Sequence, residues 1–221
     1  MDLANVMNKS SASLADKAYQ ILEEMIVTLQ LTPGTVFSEA DLVNQLAIGR
    51  TPLREALQRL ANYRLISVLP RRGMIVGDIN ISDHLALLDT RRVLDRLVAS
   101  RAARRATPEQ RDQLRECARM MEKSAVDGNL PEFMSLDREF DQILGAASRN
   151  LYAVQASIPL HSHCRRFWYY YKHNGDLKHA AQLHEDLMNA VAEGDVEKAE
   201  SSSDELIDYL EEFAKGVLTD F

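Results

Sequence analysis

The chain has 221 residues, 46% of them hydrophobic and 27% charged, with a formal net charge of −7. That much apolar side chain excludes a disordered chain, and the low counts of glycine (9) and proline (6) exclude a turn-rich all-β fold. No apolar run approaches the roughly 20 residues of a membrane span, and Cys117 and Cys164 show no CxxC spacing, so the expectation is a cytoplasmic protein without membrane contact or disulfides.

Residues 1–13 are small and polar without a period and read as a flexible tail. From Leu14 the positions Ala18, Ile21, Leu22, Met25, Ile26 and Leu29 follow helical spacing, and Thr32-Pro33-Gly34-Thr35 ends that helix. Ser38-Glu39-Ala40-Asp41 resembles a capping box and starts a helix that buries Leu42, Val43 and Leu46. After a break at Ala47-Ile48-Gly49, Thr51-Pro52 marks another start, with Leu53, Ala56, Leu57 and Leu60 as its buried stripe. Two β-like stretches, Leu65–Leu69 and Met74–Val76, are joined by Pro70-Arg71-Arg72-Gly73 as a hairpin. This order predicts a winged helix-turn-helix over residues 14–77, followed by a linker at 78–81. Residues 82–221 read as an all-helical bundle of about six helices, with boundaries near Thr107-Pro108, Asp127–Pro131, Ser148–Asn150, Asn174–Asp176 and Glu193–Asp195. The fold class is therefore mainly α.

The charge is unevenly spread. From Arg50 to Gly73 six arginines face one acid, Glu55, for a net of +5, whereas residues 79–221 carry 18 basic and 25 acidic side chains. A short basic segment on an acidic body is the footprint of a local phosphate-binding surface. Arg50 and Arg54 lie four apart near a helix start, where a planar guanidinium pairs bidentately with guanine. Thr51 offers a hydroxyl to phosphate or base, and Arg71, Arg72 and the backbone of Gly73 would position the wing on DNA. Glu55 is expected to orient an arginine or cap the helix.

The run Pro33-Gly34-Thr35, Ser38–Leu42, Arg50-Thr51-Pro52-Leu53-Arg54-Glu55-Ala56-Leu57, then Leu60, Leu65-Ile66 and Arg71-Arg72-Gly73 resembles the DNA-binding domain of GntR transcription regulators. Through Asp89-Thr90-Arg91, Asp137-Arg138-Glu139-Phe140 and Leu183-His184-Glu185, the remainder resembles the FCD effector domain of the FadR-type branch. Gly49 stands where the family has Ser or Thr, and Arg64 where it has Gly, a left-handed cap position. The resemblance implies a homodimeric regulator, usually a repressor, on a palindromic operator in double-stranded DNA. It also implies a small carboxylate effector held by a divalent metal and by an arginine at the position of Arg91.

The implied metal set is altered here. Asp137 matches the first ligand, Asp141 replaces a histidine, His184 matches a second, and Leu206 stands where a third is expected. Three readings stay open: a harder site of Asp137, Asp141 and His184 for Mn, Mg, Zn or Ni; a metal-free pocket that binds its effector directly; or a structural cluster. In the aromatic-rich stretch 161–171, His161, Arg165 and Tyr169 share a helix face that would line an anion or aromatic pocket. Arg91 has salt bridging to Asp89 or Asp95 as its alternative role. No nucleophile–base pair, phosphate loop or HExxH appears, so an enzyme is not expected. The alternatives are a regulator with a non-functional pocket or a helical metal-dependent enzyme.

Overall fold

The computed structural model describes residues 13–172 and 175–219, so the expected tail is covered only at Ser13 and part of the Asn174 boundary lies outside the described residues. The chain divides into two compact units after Ile79.

In the first unit, α1 (Leu14–Val27) starts at a capping box in which Ser13 and Asp16 satisfy each other's backbone N–H groups. It ends two residues short of the expected Leu29, which takes a left-handed φ of 61°. Then come β1 (Val36–Phe37), α2 (Glu39–Leu46) and α3 (Arg50–Asn62), followed by β2 (Ile66–Leu69) and β3 (Gly73–Val76). Ser38 caps α2 with Asp41 through the box that the sequence predicts. Ala47 breaks the chain in the left-handed conformation, and Gly49 becomes the N-cap of α3 without a side-chain bond, so that helix begins one residue before Thr51.

The three strands form an antiparallel sheet ordered β1-β3-β2, with Ile75 opposite both Val36 and Ser67. β1 is too short to show an alternation, so the sequence reading assigns Val36–Phe37 no element. Gly73 is required at the hinge of the wing: its φ is +100°, and a Cβ there would lie 2.4 Å from the Phe37 carbonyl oxygen. Leu22, Ile26, Leu42, Leu53, Leu60 and Ile66 close the core between helices and sheet.

The second unit contains α4 (Ile81–Arg105), α5 (Pro108–Val126), α6 (Leu130–Ser148), α7 (Leu151–Tyr170), α8 (Leu177–Glu193) and α9 (Val196–Thr219). Asn80, Thr107, Asn129, Asn150 and Asp176 each cap the following helix through a side-chain oxygen. The long α4 packs on α9, α6 and α7, while α5 packs on α8 and α6. Arg111 donates to the carbonyls of Ala103, Ala106, Val191 and Ala192, so one guanidinium ties the ends of α4 and α8 together. Among the described residues no helix is long and apolar enough to cross a membrane.

Candidate functional site

The sequence singles out one surface on the first unit and one cluster on the second. The surface is built from α3 and the β2–β3 wing. Leu53, Ala56, Leu57 and Leu60 anchor α3 in the core, which turns Arg50, Thr51, Arg54 and Glu55 outward, all exposed. The carboxylate that pairs with Arg54 comes from α2 and not from the adjacent Glu55. Glu39 accepts from Nε and Nη2 of Arg54 at 3.3 and 3.2 Å, while the Arg54 side chain stays 73% exposed. On the wing, the Arg72 N–H donates to the Leu69 carbonyl at 3.0 Å, closing a tight turn in which Arg71 is left-handed at φ 63°. Pro70, Arg71 and Arg72 are all exposed at its tip.

Two further arginines of the basic run serve differently. Arg59 lies over the Tyr19 ring, 3.9 Å from its centre, and reaches Asp16, so it braces α3 on α1. Arg64 takes a left-handed φ of 59° after α3, the conformation expected of that position, and is exposed.

The cluster of the second unit is a chain of alternating charges between four helices. Asp137 and Asp141 sit one turn apart on α6 and face α7. Arg165 of α7 donates from Nε to Asp137 at 2.8 Å and from Nη2 to Asp141. His161, one turn earlier, places Nδ1 2.7 Å from Asp141 and Nε2 3.0 Å from Asp95 of α4. Arg91 donates to Asp95 at 2.9 Å from Nε, with Nη2 at 2.8 Å. At the other end His184 of α8 has Nε2 3.0 Å from Asp137 and Nδ1 2.7 Å from the Ala180 carbonyl. Phe133 and Phe140 present their rings edge-on to that imidazole.

Burial and charge act against each other here. Burial pushes the Asp95 carboxyl up, but the neighbouring Arg91 and His161 outweigh it and bring it down to about 2. Burial likewise opposes ionisation of Asp137, and Arg165 with His184 still holds it far below the usual carboxylate range. For His161 burial disfavours the imidazolium, yet Asp141 and Asp95 on its two nitrogens raise it to about 9. His84 shows the reverse. Buried and stacked on Phe167 at 3.7 Å, it is lowered to about 3, first by burial and then by Arg91 and His163.

A cavity of about 40 Å³ opens beside this chain, with Arg91, Asp137, Asp141, His161, Arg165 and His184 among its lining. Six of the seven side chains expected at an effector pocket are thus together. Tyr169 is the exception: it does not line the cavity and instead lies under the Lys172 ammonium. Trp168 lines the cavity in its place. Helical geometry explains the exchange, since Trp168 lies within about 20° of His161 around α7 and Tyr169 about 80° away. Asp95, which the sequence offers only as a salt-bridge alternative for Arg91, joins the two halves of the chain.

The metal set expected at Asp137, Asp141 and His184 requires correction. Among the described residues no group of three or more His, Cys, Asp or Glu side chains is placed to hold a metal ion. A guanidinium already lies against both carboxylates, His184 faces Asp137 itself, and Leu206 lines the cavity with no donor. Asp204 and Asp208, beside Leu206, turn away and pair with Arg96 and Arg92 of α4. With Arg165 between the two carboxylates, these side chains do not fit a divalent ion.

Comparison with known proteins agrees with both units. Residues 14–76 match the gntR family of bacterial regulatory proteins, and residues 86–209 match the FCD domain. An HTH-type transcriptional regulator in an unstable DNA locus of Streptomyces ambofaciens is 30% identical over 191 residues, 83% of this chain and 78% of that protein. The HTH-type transcriptional repressor RspR of Escherichia coli is 32% identical over 126 residues, 57% of this chain and 55% of that one. The structure of E. coli McbR/YncC superposes with a TM-score of 0.82 at 19% identity, covering 93% of this chain and 99% of that chain, a likeness of fold. This chain belongs to the gntR family of bacterial regulatory proteins, as a DNA-binding transcription regulator with an FCD domain and not an enzyme.

Proposed function

We propose that this protein is a metabolite-controlled repressor that works in the cytoplasm and binds, as a homodimer, an operator with inverted-repeat symmetry. What supports this most directly is the exposed arginine set on two elements of the winged helix: Arg50 and Arg54 on α3, Arg71 and Arg72 at the wing tip. Arg50 and Arg54 would read base edges in the major groove, with Thr51 on phosphate and the wing, held by Gly73, on the backbone. Exposed Val93 and Leu97, four apart on α4, support a second copy as partner. The effector would be a small organic acid received among Arg91, Asp137, Asp141, His161, Arg165 and His184. To exert control it must bind the DNA-competent and incompetent arrangements with different affinity.

The test is selection of bound genomic fragments with Arg54→Ala protein as the control. Enrichment of a few fragments sharing an inverted repeat is expected, with affinity for them falling on the order of 10–100-fold in the variant. Equal enrichment by both proteins defeats the reading. A second reading, a regulator whose pocket accepts nothing, is favoured by one observation: the cavity is small and its cations are already matched by carboxylates. A thermal-shift screen of small organic acids separates the two, because a stabilising acid that also lowers operator affinity eliminates the closed-pocket reading.

A further inference from the structure

We propose that Arg165 is a built-in cation that takes the place of a divalent metal in this FCD domain, so that the helical unit folds and stays closed with no metal. The inference goes beyond the reading above and stands whether or not an effector binds. Asp137 and Asp141, one turn apart on α6, form a pair of carboxylates that needs a cation between them. The guanidinium of Arg165 supplies it from α7, with Nε on an oxygen of Asp137 at 2.8 Å and Nη2 on an oxygen of Asp141, and its side chain is only 7% exposed. A planar fork suits the task because its N–H groups point in fixed directions toward two separate acceptors.

A divalent ion bridging the two carboxylates would have to sit roughly 2 Å from an oxygen of each, against the guanidinium that already bridges them. The other expected ligand positions are also spent. His184 directs Nε2 at Asp137, 3.0 Å away, and Leu206 offers no lone pair. Asp141 is further engaged by Nδ1 of His161 at 2.7 Å. An ion entering the wild-type site would therefore have to displace the guanidinium and break these pairs.

The experiment uses the untagged 221-residue chain after dialysis against EDTA and then against chelator-free buffer. Metal content is measured by mass spectrometry, and melting temperature with added Zn²⁺, Mn²⁺, Ni²⁺ or Mg²⁺. The wild type should carry far less than one metal per chain and shift by less than about 1 °C with any of the four. Arg165→Ala uncovers Asp137, Asp141 and His184, and one of the ions should raise its melting temperature by about 5–10 °C. EDTA should reverse that gain, and Arg165→Ala with His184→Ala should lose it. Arg165→Lys keeps a cation and should stay indifferent to metal. Near one metal per wild-type chain, or a wild-type shift that EDTA reverses, overturns the proposal. So does a folded Arg165→Ala protein that ignores all four ions. Should Arg165→Ala not fold, the wild type and Arg165→Lys decide, because a metal response in either overturns it.

Discussion

The two units use arginine in opposite ways. On the first, Arg50, Arg71 and Arg72 stand in solvent, and Arg54 shares only an exposed pair with Glu39. Such a pair contributes at most about 1 kcal/mol, so Arg54 can exchange its partner for a phosphate or a base edge at little cost. In the second unit Arg91 and Arg165 are buried: Arg91 is matched by Asp95 one turn along its own helix, and Arg165 by Asp137 and Asp141 of the neighbouring α6. There a lost partner leaves a charge with neither water nor counterion. The same side chain is therefore a replaceable contact for an outside polyanion in one unit and a fixed strut in the other.

Removing a partner from the buried chain should have the largest effect. Asp95→Ala strips Arg91 and His161 of their shared carboxylate and should lower the unfolding free energy of the helical unit by about 3–5 kcal/mol in urea titration of the full chain. A loss below about 1 kcal/mol would mean that the interior cations behave like the exposed ones.

Next in size is a pH dependence with two limbs, each on the order of a few kcal/mol. His161, at about 9 in the fold against an ordinary 6.5, binds its proton more tightly when folded. Its contribution is complete below pH 6.5 and disappears as pH rises to 9. His84, at about 3, is held neutral, so its contribution is complete above pH 6.5 and disappears as pH falls toward 3. His161→Gln should flatten the alkaline limb and His84→Phe should make the acid limb shallower, both read from melting temperature across pH. An unchanged alkaline limb in His161→Gln would show that the imidazolium is not held between Asp95 and Asp141. The smallest effect belongs to the exposed set. Arg71→Ala and Arg72→Ala should each reduce the slope of log affinity against log salt by about 1 while leaving the melting temperature unchanged.

Much of the first unit is legible in its local chemistry. The Ser38–Asp41 box, the stripe Leu53, Ala56, Leu57 and Leu60, and the hairpin turn before Gly73 each act within a few residues, so their signals lie in contiguous sequence. β1 escapes because two residues carry no period, and its place comes from pairing with β3 far along the chain. The partner of Arg54 escapes for the same reason: adjacency suggests Glu55, but the packing of α2 on α3 brings Glu39. In the second unit Asp137, Asp141, His161, Arg165 and His184 are each legible as candidates, while the pairing that makes them one chain is not. Tyr169 is misplaced by a spacing argument that treats 40° steps around the helix as a single face.

By itself the sequence determined what short-range rules determine: where helices start and stop, which face of each is apolar, and that a basic winged helix precedes an acidic helical bundle. Only the tertiary structure decided that Arg165 lies against Asp137 and Asp141, that Asp95 joins Arg91 to His161, and that Leu206 lines the cavity. The physical reason is that periodicity places a side chain on a face, whereas the partner across that face depends on which helices pack together. In a buried site the partner decides the chemistry, because a carboxylate facing a guanidinium is a salt bridge and the same carboxylate facing open space is a ligand.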